Sequence, residues 1–380
     1  MTSRIVASGY YGFANLGDEA VLAGVQAGLN QAAKQPVALT ALTSDVAYTQ
    51  RLHAIDGVQR TSFRQVADVI RASDLLVSGG GSLFQDVTSL RSLLYYAGIC
   101  RMARYTRTRY MFYAQGVGPL RRRISRRLFK WVANGAAFIT VRDDESARLL
   151  HHLGVHAHIE VTADAALSVQ PAAPSAAATL LTDHGIDPEE PILGVALRPW
   201  RTSRPLVALD RSAQLLQQLH AETGYRILMI PMHTPGDRLY AESVVARAGP
   251  ESGALVLRND CDPALALALA GRMKLIVAMR LHALVFAARM RVPSFGLTYD
   301  PKIRAFLGGL GADGLMADFH NFEPSSVALQ VADALNRSDA IMAEQEQRIA
   351  RMERRSLRSA ERAIECIPSQ RVVQRRAADV

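Results

Sequence analysis

The chain has 380 residues, 49% hydrophobic and 21% charged, with a net charge of +9. This exceeds the roughly 250–300 residues that one core supports, so two domains are expected, and the composition excludes disordered, collagen-like and repeat architectures. No apolar run reaches the ~18 residues of a membrane span, since the longest, 263–279, is broken by Arg272 and Lys274, and the only cysteines, Cys100, Cys261 and Cys366, lack the paired spacing of a zinc ribbon or disulfide framework.

The first strand-like run, residues 4–8, begins almost at the N-terminus. That leaves no room for a signal peptide and points to the cytoplasm. Gly9-Tyr10-Tyr11-Gly12 and Asn15-Leu16-Gly17-Asp18-Glu19 follow, a glycine and acid pattern that opens a helix over 18–32. Asp18 is either an ordinary N-cap or, with its neighbours, an acceptor of hydrogen bonds from sugar hydroxyls. A second strand, 75–78, runs into Gly79-Gly80-Gly81-Ser82 and then Gln85-Asp86. Glycines let a backbone turn tightly and approach a ligand, and a following helix N-terminus favours anions. Neither a Walker A nor a Gly-x-Gly-x-x-Gly pattern is present.

Residues 101–130 hold ten Lys/Arg and no acid, more than the whole net charge. A field of this kind is either a solvated helix face or a docking surface for an anionic partner. Between 121 and 134, Ile124, Leu128, Phe129 and Val132 recur at helical spacing among arginines. This suits an interfacial helix on the inner face of an anionic membrane. No helix-turn-helix, zinc finger or aromatic RNA-binding motif appears, so nucleic acid is not an expected partner.

Strands at 110–114, 138–142 and 159–161 complete a first series, with Arg142 closing one of them ahead of Asp143, Asp144 and Glu145. The low-complexity stretch QPAAPSAAA, 170–178, reads as a linker. It divides the chain into a domain over 1–169, a linker over 170–190, a domain over 191–335, and a helix and tail over 336–380. The second series comprises strands at 192–197, 226–231, 275–279 and 292–297. Helical patterns at 144–153, 211–223 and 281–290 alternate with strands, which implies α/β domains with parallel sheets. In such sheets ligands bind beyond the carboxyl ends of the strands. Those ends carry Arg142, Arg198, His233, Arg280 with His282, and Lys302. Together they predict a cationic cleft and an anionic substrate.

The ordered motifs GYYGFANLGDEAVL, GGGSLFQD, AQGVGP, VRDDES, MRLHALVFAA and YDPK, from about residue 5 to 310, resemble the polysaccharide pyruvyl transferases, in particular the bacterial cell-wall type called CsaB. The resemblance implies two Rossmann-like domains facing across a GT-B-like cleft, with the C-terminal helix beside them. It implies phosphoenolpyruvate as donor and a 4,6-linked pyruvate ketal as product, on N-acetylmannosamine of a lipid-linked cell-wall precursor whose polymer anchors surface-layer proteins. It carries donor binding to Arg142 and Arg280, catalysis to His282 and a donor-site cation to Lys302. Arg280 and Lys302 also count as candidate catalytic residues, and Arg198 and His233 as further donor ligands. The acceptor side comprises Asn15, Gly17, Asp18, Glu19, Gly80, Gly81, Ser82, Gln85 and Asp86.

The chemistry suits these residues. A carboxylate and a phosphate fit arginine forks and a lysine point charge. Ketal formation needs an acid/base near neutrality, which histidine supplies. Phosphoenolpyruvate is a co-substrate, and neither a cofactor nor a metal is expected. The rival reading on the same fold is a nucleotide-sugar glycosyltransferase.

Overall fold

The computed structural model describes residues 2–86, 90–199, 204–258 and 261–368. The first sheet comprises β1 (Ser3–Tyr11), β2 (Val37–Thr43), β3 (Asp56–Gln59), β4 (Leu75–Gly79), β5 (Arg109–Gln115), β6 (Phe138–Val141) and β7 (Ile159–Val161). The second comprises β8 (Ile192–Ala196), β9 (Arg226–Met229), β10 (Ala254–Val256), β11 (Leu275–Ala278), β12 (Ser294–Thr298) and β13 (Met316–Asp318). Their orders are β3-β2-β1-β4-β5-β6-β7 and β10-β9-β8-β11-β12-β13. Neighbouring strands run parallel throughout, as in the β1–β4 and β8–β11 pairs.

Strands β4, β8, β11 and β12 are buried along their whole length. Strands covered by helices on both faces read as near-continuous apolar runs, and LLVSG, ILGVA, LIVA and SFGLT do so. Each sheet reverses direction at its middle: β1 leads outward to β2 and β3, then the chain returns to β4 on the other side. The second sheet does the same between β8 and β11. Register aligns the carboxyl ends at both points, with Ser8 opposite Ser78 and Ala196 opposite Ala278. These are topological switch points, where a crevice opens beyond the strand ends.

The two units are joined at several levels. Helix Leu16–Ala32 of the first sends Ala20 into the apolar core of the second. Leu16 N–H donates to Met232 O at 2.8 Å and Thr234 N–H to Ala14 O at 3.1 Å, so the loop after β1 is hydrogen-bonded to the loop after β9. Within the stretch read as a linker, Pro174–Asp183 is a helix with proline in its first turn, and Leu180 and Leu181 enter the second core. Alanine-rich segments are strong helix formers. The C-terminal helix, Ser338–Cys366, spans both units. Ile349 packs in the second core, while Ala360, Ala363 and Cys366 pack on the first sheet. Its small polar face completes the seam, with Ser356 Oγ 2.8 Å from Ser168 Oγ and Ser359 Oγ 2.9 Å from Thr162 Oγ1.

Candidate active site

A cleft of about 470 Å³ opens between the two switch points. The first unit lines it with Asn15, Gly17 and Asp18 after β1, Gly81, Ser82 and Gln85 after β4, and Arg142 after β6. The second contributes Arg198 after β8, His233 after β9, Arg280 and His282 after β11, and Lys302 after β12. Residues far apart in sequence thus converge because each follows a strand whose carboxyl end faces the same space.

Arg142 is nearly buried, with 6% of its side chain exposed. Nη1 donates to Asp164 Oδ2 at 3.0 Å and Nη2 to Ser82 Oγ at 3.3 Å. Arg280, the N-cap of helix Leu281–Arg289, is forked on the buried carboxylate of Asp237: Nε donates to Oδ2 at 2.8 Å and Nη2 to Oδ1. A planar fork held this way is fixed in orientation before any ligand arrives. Arg198 donates from Nη1 to Tyr299 Oη at 3.0 Å and stands over that ring. Lys302 lies in the first turn of helix Pro301–Leu310, Nζ 3.9 Å from Asp300 Oδ2. Burial draws Lys302 below the ordinary lysine range, opposed by Asp300 and assisted by Arg142. Burial and then Arg280 likewise hold His233 below the usual histidine value, so its neutral form is favoured near pH 7.

His282 opens its helix directly beneath the N-terminus of the first unit's helix. Its Nε2 lies 3.6 Å from Asp164 Oδ2 and is buried without a hydrogen-bond partner. Asp164 therefore stands between Arg142 and His282. Burial alone would raise its pKa, but His282, Arg142 and the Ala166 N–H together hold the carboxyl well below the usual range. Asp18 has the opposite fate. Burial pushes it up to about 6; Glu19 and Asp164 add to the rise, and His282 and Arg280 oppose it. Two carboxyl groups at one site with pKa values driven apart are the pattern of an acid/base pair.

The glycine loop after β4 is shaped by close approach. Gly80 and Gly81 have φ of +78° and +67°, and a Cβ on Gly80 would stand 1.7 Å from Val21 Cγ1. Only glycine fits both constraints. Gly81 O accepts from Gln115 Nε2 at 2.8 Å, which ties the loop to the end of β5. Past it, Tyr10, Ser92 and Gln85 line the cleft, while Tyr96 reaches it from the core and is only 1% exposed.

Three acceptor-side candidates fall outside the cleft lining. Glu19 is fully buried, accepting from Gly12 N–H at 2.8 Å and lying 2.9 Å from His53 Nε2, so it holds the loop in shape. Asp86 accepts the N–H groups of Arg121 and Arg122, both at 2.8 Å. Gly80 serves the turn. Conversely, Asp164 and Asp237 escaped the sequence reading. Each lies a few residues past a strand end, the signal that identified the cations, but acids there read as helix caps.

The helix expected to meet a membrane, Arg123–Ala133, divides differently from its periodicity. Phe129 and Val132 are buried in the first core, while Ile124 is 68% and Trp131 46% exposed. Among the described residues, no helix is long and apolar enough to cross a membrane, and no group of three His, Cys, Asp or Glu is placed to hold a metal.

The profile of the polysaccharide pyruvyl transferase family matches residues 15–301, which takes in the cleft residues from Asn15 to Asp300 and ends just before Lys302. No curated protein matches the chain. Among solved structures, the chain is similar to MnaA of S. aureus in complex with UDP, at 12% identity and TM-score 0.64 over 95% of each chain. HepE of Anabaena with UDP and glucose follows at 13% and 0.60, over 96% of this chain and 98% of that one. A glycosyltransferase from Rickettsia africae aligns at 11% and 0.61, over 97% and 100%. These likenesses establish the fold: two Rossmann-like domains in the GT-B arrangement.

Proposed function

The chain belongs to the polysaccharide pyruvyl transferase family, and on that footing we propose that it transfers the pyruvyl group of phosphoenolpyruvate to two hydroxyls of one sugar, forming a 4,6-ketal and releasing phosphate. The observation that carries this reading is the convergence of Arg142, Arg280, His282 and Lys302, from both domains, on one cleft. A three-carbon enol phosphate, with its carboxylate and phosphate, matches two guanidiniums and one ammonium.

The reaction balances as follows. C3 of the enol accepts a proton and becomes the methyl group. A sugar hydroxyl oxygen forms a bond to C2, then the C2–O bond to phosphate breaks and the second hydroxyl oxygen takes its place. Of the two hydroxyl protons released, one is matched by the proton gained at C3 and the other leaves with phosphate. His282, beside ionised Asp164, and Asp18, protonated at mildly acidic pH, are the groups positioned to move these protons. Arg142 and Arg280 hold the anion, while Tyr10 and Gln85 offer a face and hydrogen bonds to the sugar.

The acceptor we favour is N-acetylmannosamine of a lipid-linked cell-wall precursor, which requires the enzyme to work at the inner membrane face. The exposed arginines and apolar side chains of helix Arg123–Ala133 support that placement. The likeness to UDP-bound proteins favours a second reading, a nucleotide-sugar donor. One experiment separates them: incubation with lipid-linked disaccharides and either phosphoenolpyruvate or UDP-sugars, with phosphate release and ketal product measured. Turnover only with a UDP-sugar overturns the first reading.

A further inference from the structure

Beyond Lys302 lies a second chamber of about 420 Å³, walled by the first domain, helix Pro301–Leu310 and the C-terminal helix. Arg142, Leu281 and Lys302 line both spaces, so the chamber adjoins the donor end of the cleft. The C-terminal helix presents Arg348, Arg351 and Arg355 to it, and Arg148 comes from the first domain. Spacings of three and four residues put the three helix arginines on one stripe.

Arg358 and Arg362 both pair with Glu160, and Glu346 and Glu353 both pair with Arg291. Among the described residues, the side chains of Arg148, Arg348, Arg351 and Arg355 have neither an ion pair nor a hydrogen bond. Of the other arginines on this helix, Arg354 likewise has no side-chain partner among the described residues, whereas two are paired. Of the carboxylates on the chamber wall, Asp143 and Asp164 are committed to Arg142. With Asp144 and Glu145 the wall holds four acids against five guanidiniums and Lys302, an excess of two positive charges. Like charges gathered in one cavity repel, and guanidinium forks match phosphate oxygens.

We propose that this chamber binds inorganic phosphate and is the route by which the phosphate product leaves the donor site. The inference rests on the proposed reaction, in which phosphate is the leaving group. Once the C2–O bond breaks, the saccharide still occupies the outer cleft against Tyr10 and Gln85. The opposite side, past Lys302, stays open, and arginines there draw the dianion away from the reacting carbon.

The test uses the full chain, the Arg351→Gln/Arg355→Gln double variant and Arg280→Ala. Calorimetric titration with orthophosphate, phosphoenolpyruvate and glucose 1-phosphate is combined with a phosphate-sensor assay and single-turnover ketal formation. The double variant is expected to lose orthophosphate affinity by about tenfold at a site that Arg280→Ala retains, since Arg280 lines the cleft alone. Its phosphoenolpyruvate affinity and single-turnover rate should stay within about twofold of the parent, while steady-state phosphate release slows. Lysine at both positions should restore part of the affinity, and unchanged melting curves exclude misfolding. Unchanged orthophosphate binding, or a parallel fall in phosphoenolpyruvate affinity, overturns the proposal. Glucose 1-phosphate binding there at least about tenfold tighter than orthophosphate assigns the chamber to a phosphorylated sugar, which also overturns it. A parent enzyme that forms no ketal yet loses a phosphate site in the double variant refutes the reaction and the exit role, while upholding the binding site.

Discussion

Gly17 lies flat against the imidazole of His282: a Cβ at position 17 would stand 2.1 Å from Nδ1. The contact joins the two domains, so their fit at the site depends on the absence of one methyl group. Gly17 sits in the first turn of its helix, where glycine has no local advantage over alanine. Gly17→Ala should displace His282 or hold the domains apart. Turnover is expected to fall by more than about tenfold, against an overpacking cost of about 1–3 kcal/mol in stability. Ketal formation measured beside thermal denaturation checks this, and parental turnover in the alanine enzyme would overturn it.

Asp18 carries a pH signature of its own. With its folded pKa raised to about 6 from an ordinary 3.8, the native state binds the proton more tightly than the unfolded chain. Its contribution is therefore full below about pH 4 and is lost as pH rises through about 6. Asp18→Asn keeps the shape of the neutral form. It should match the parent near pH 4 and exceed it at pH 8 by on the order of 3 kcal/mol, while losing turnover. Denaturant unfolding at pH 4, 6 and 8 reads the first part. Equal pH dependence in both proteins would show that Asp18 is not the titrating group.

Arg142 and His282 share Asp164 but should fail differently. Arg142→Ala leaves the buried carboxylate of Asp164 without its 3.0 Å guanidinium partner, and breaking such a pair costs about 3–5 kcal/mol. It should also weaken phosphoenolpyruvate binding by about 2–3 kcal/mol, the scale of lost charge-assisted contacts. His282→Ala should abolish ketal formation with donor affinity largely intact. Arg280→Ala should weaken the donor similarly to Arg142→Ala, and Arg280→Lys should not restore it fully, because lysine cannot span both oxygens of Asp237. Donor calorimetry and a product assay on the same four proteins judge all of this. Near-normal turnover in His282→Ala would leave Asp18 or Lys302 as the acid.

What the sequence made legible follows from burial. Strands β4, β8, β11 and β12 stood out because both faces are covered, and their polar endings marked where the cleft lies. Strands β3, β10 and β13 are three or four residues long and only partly buried; their pairing comes from neighbours, so no local pattern marks them. In β2, alanine and leucine alternate with valine and threonine, and opposing propensities blur the signal. The site itself was legible as a set of cations, not as an arrangement. That Glu19 is spent on His53, 34 positions away, and Asp237 on Arg280, 43 away, depends on tertiary contacts. The depth of Asp18 has the same origin, since the loop that buries it is hydrogen-bonded to the second domain.

The basic face of the first domain supplies the last test. Phe129 and Val132 anchor helix Arg123–Ala133 to the core, which turns Ile124 and Trp131 outward among the exposed Arg122, Arg123, Arg126 and Arg127. Arg104, from the preceding helix Leu90–Tyr105, stands 5.7 Å from the centre of the Trp131 ring, and Tyr105 at that helix's end is 85% exposed. Tryptophan and tyrosine favour the headgroup level of a bilayer, and each cation near an anionic leaflet contributes about 1 kcal/mol. Sedimentation with phosphatidylserine-containing vesicles should therefore capture the parent at low salt, with less capture at high salt and on phosphatidylcholine alone. Changing Arg121, Arg122 and Arg123 to Glu should weaken binding by at least about a hundredfold, since three favourable charges become three unfavourable ones. Ile124→Ser with Trp131→Ala should weaken it while leaving the salt dependence, because apolar insertion and charge attraction are separate contributions. Binding that survives the triple reversal would mean that this face is a solvated surface and that the enzyme meets its acceptor by another route.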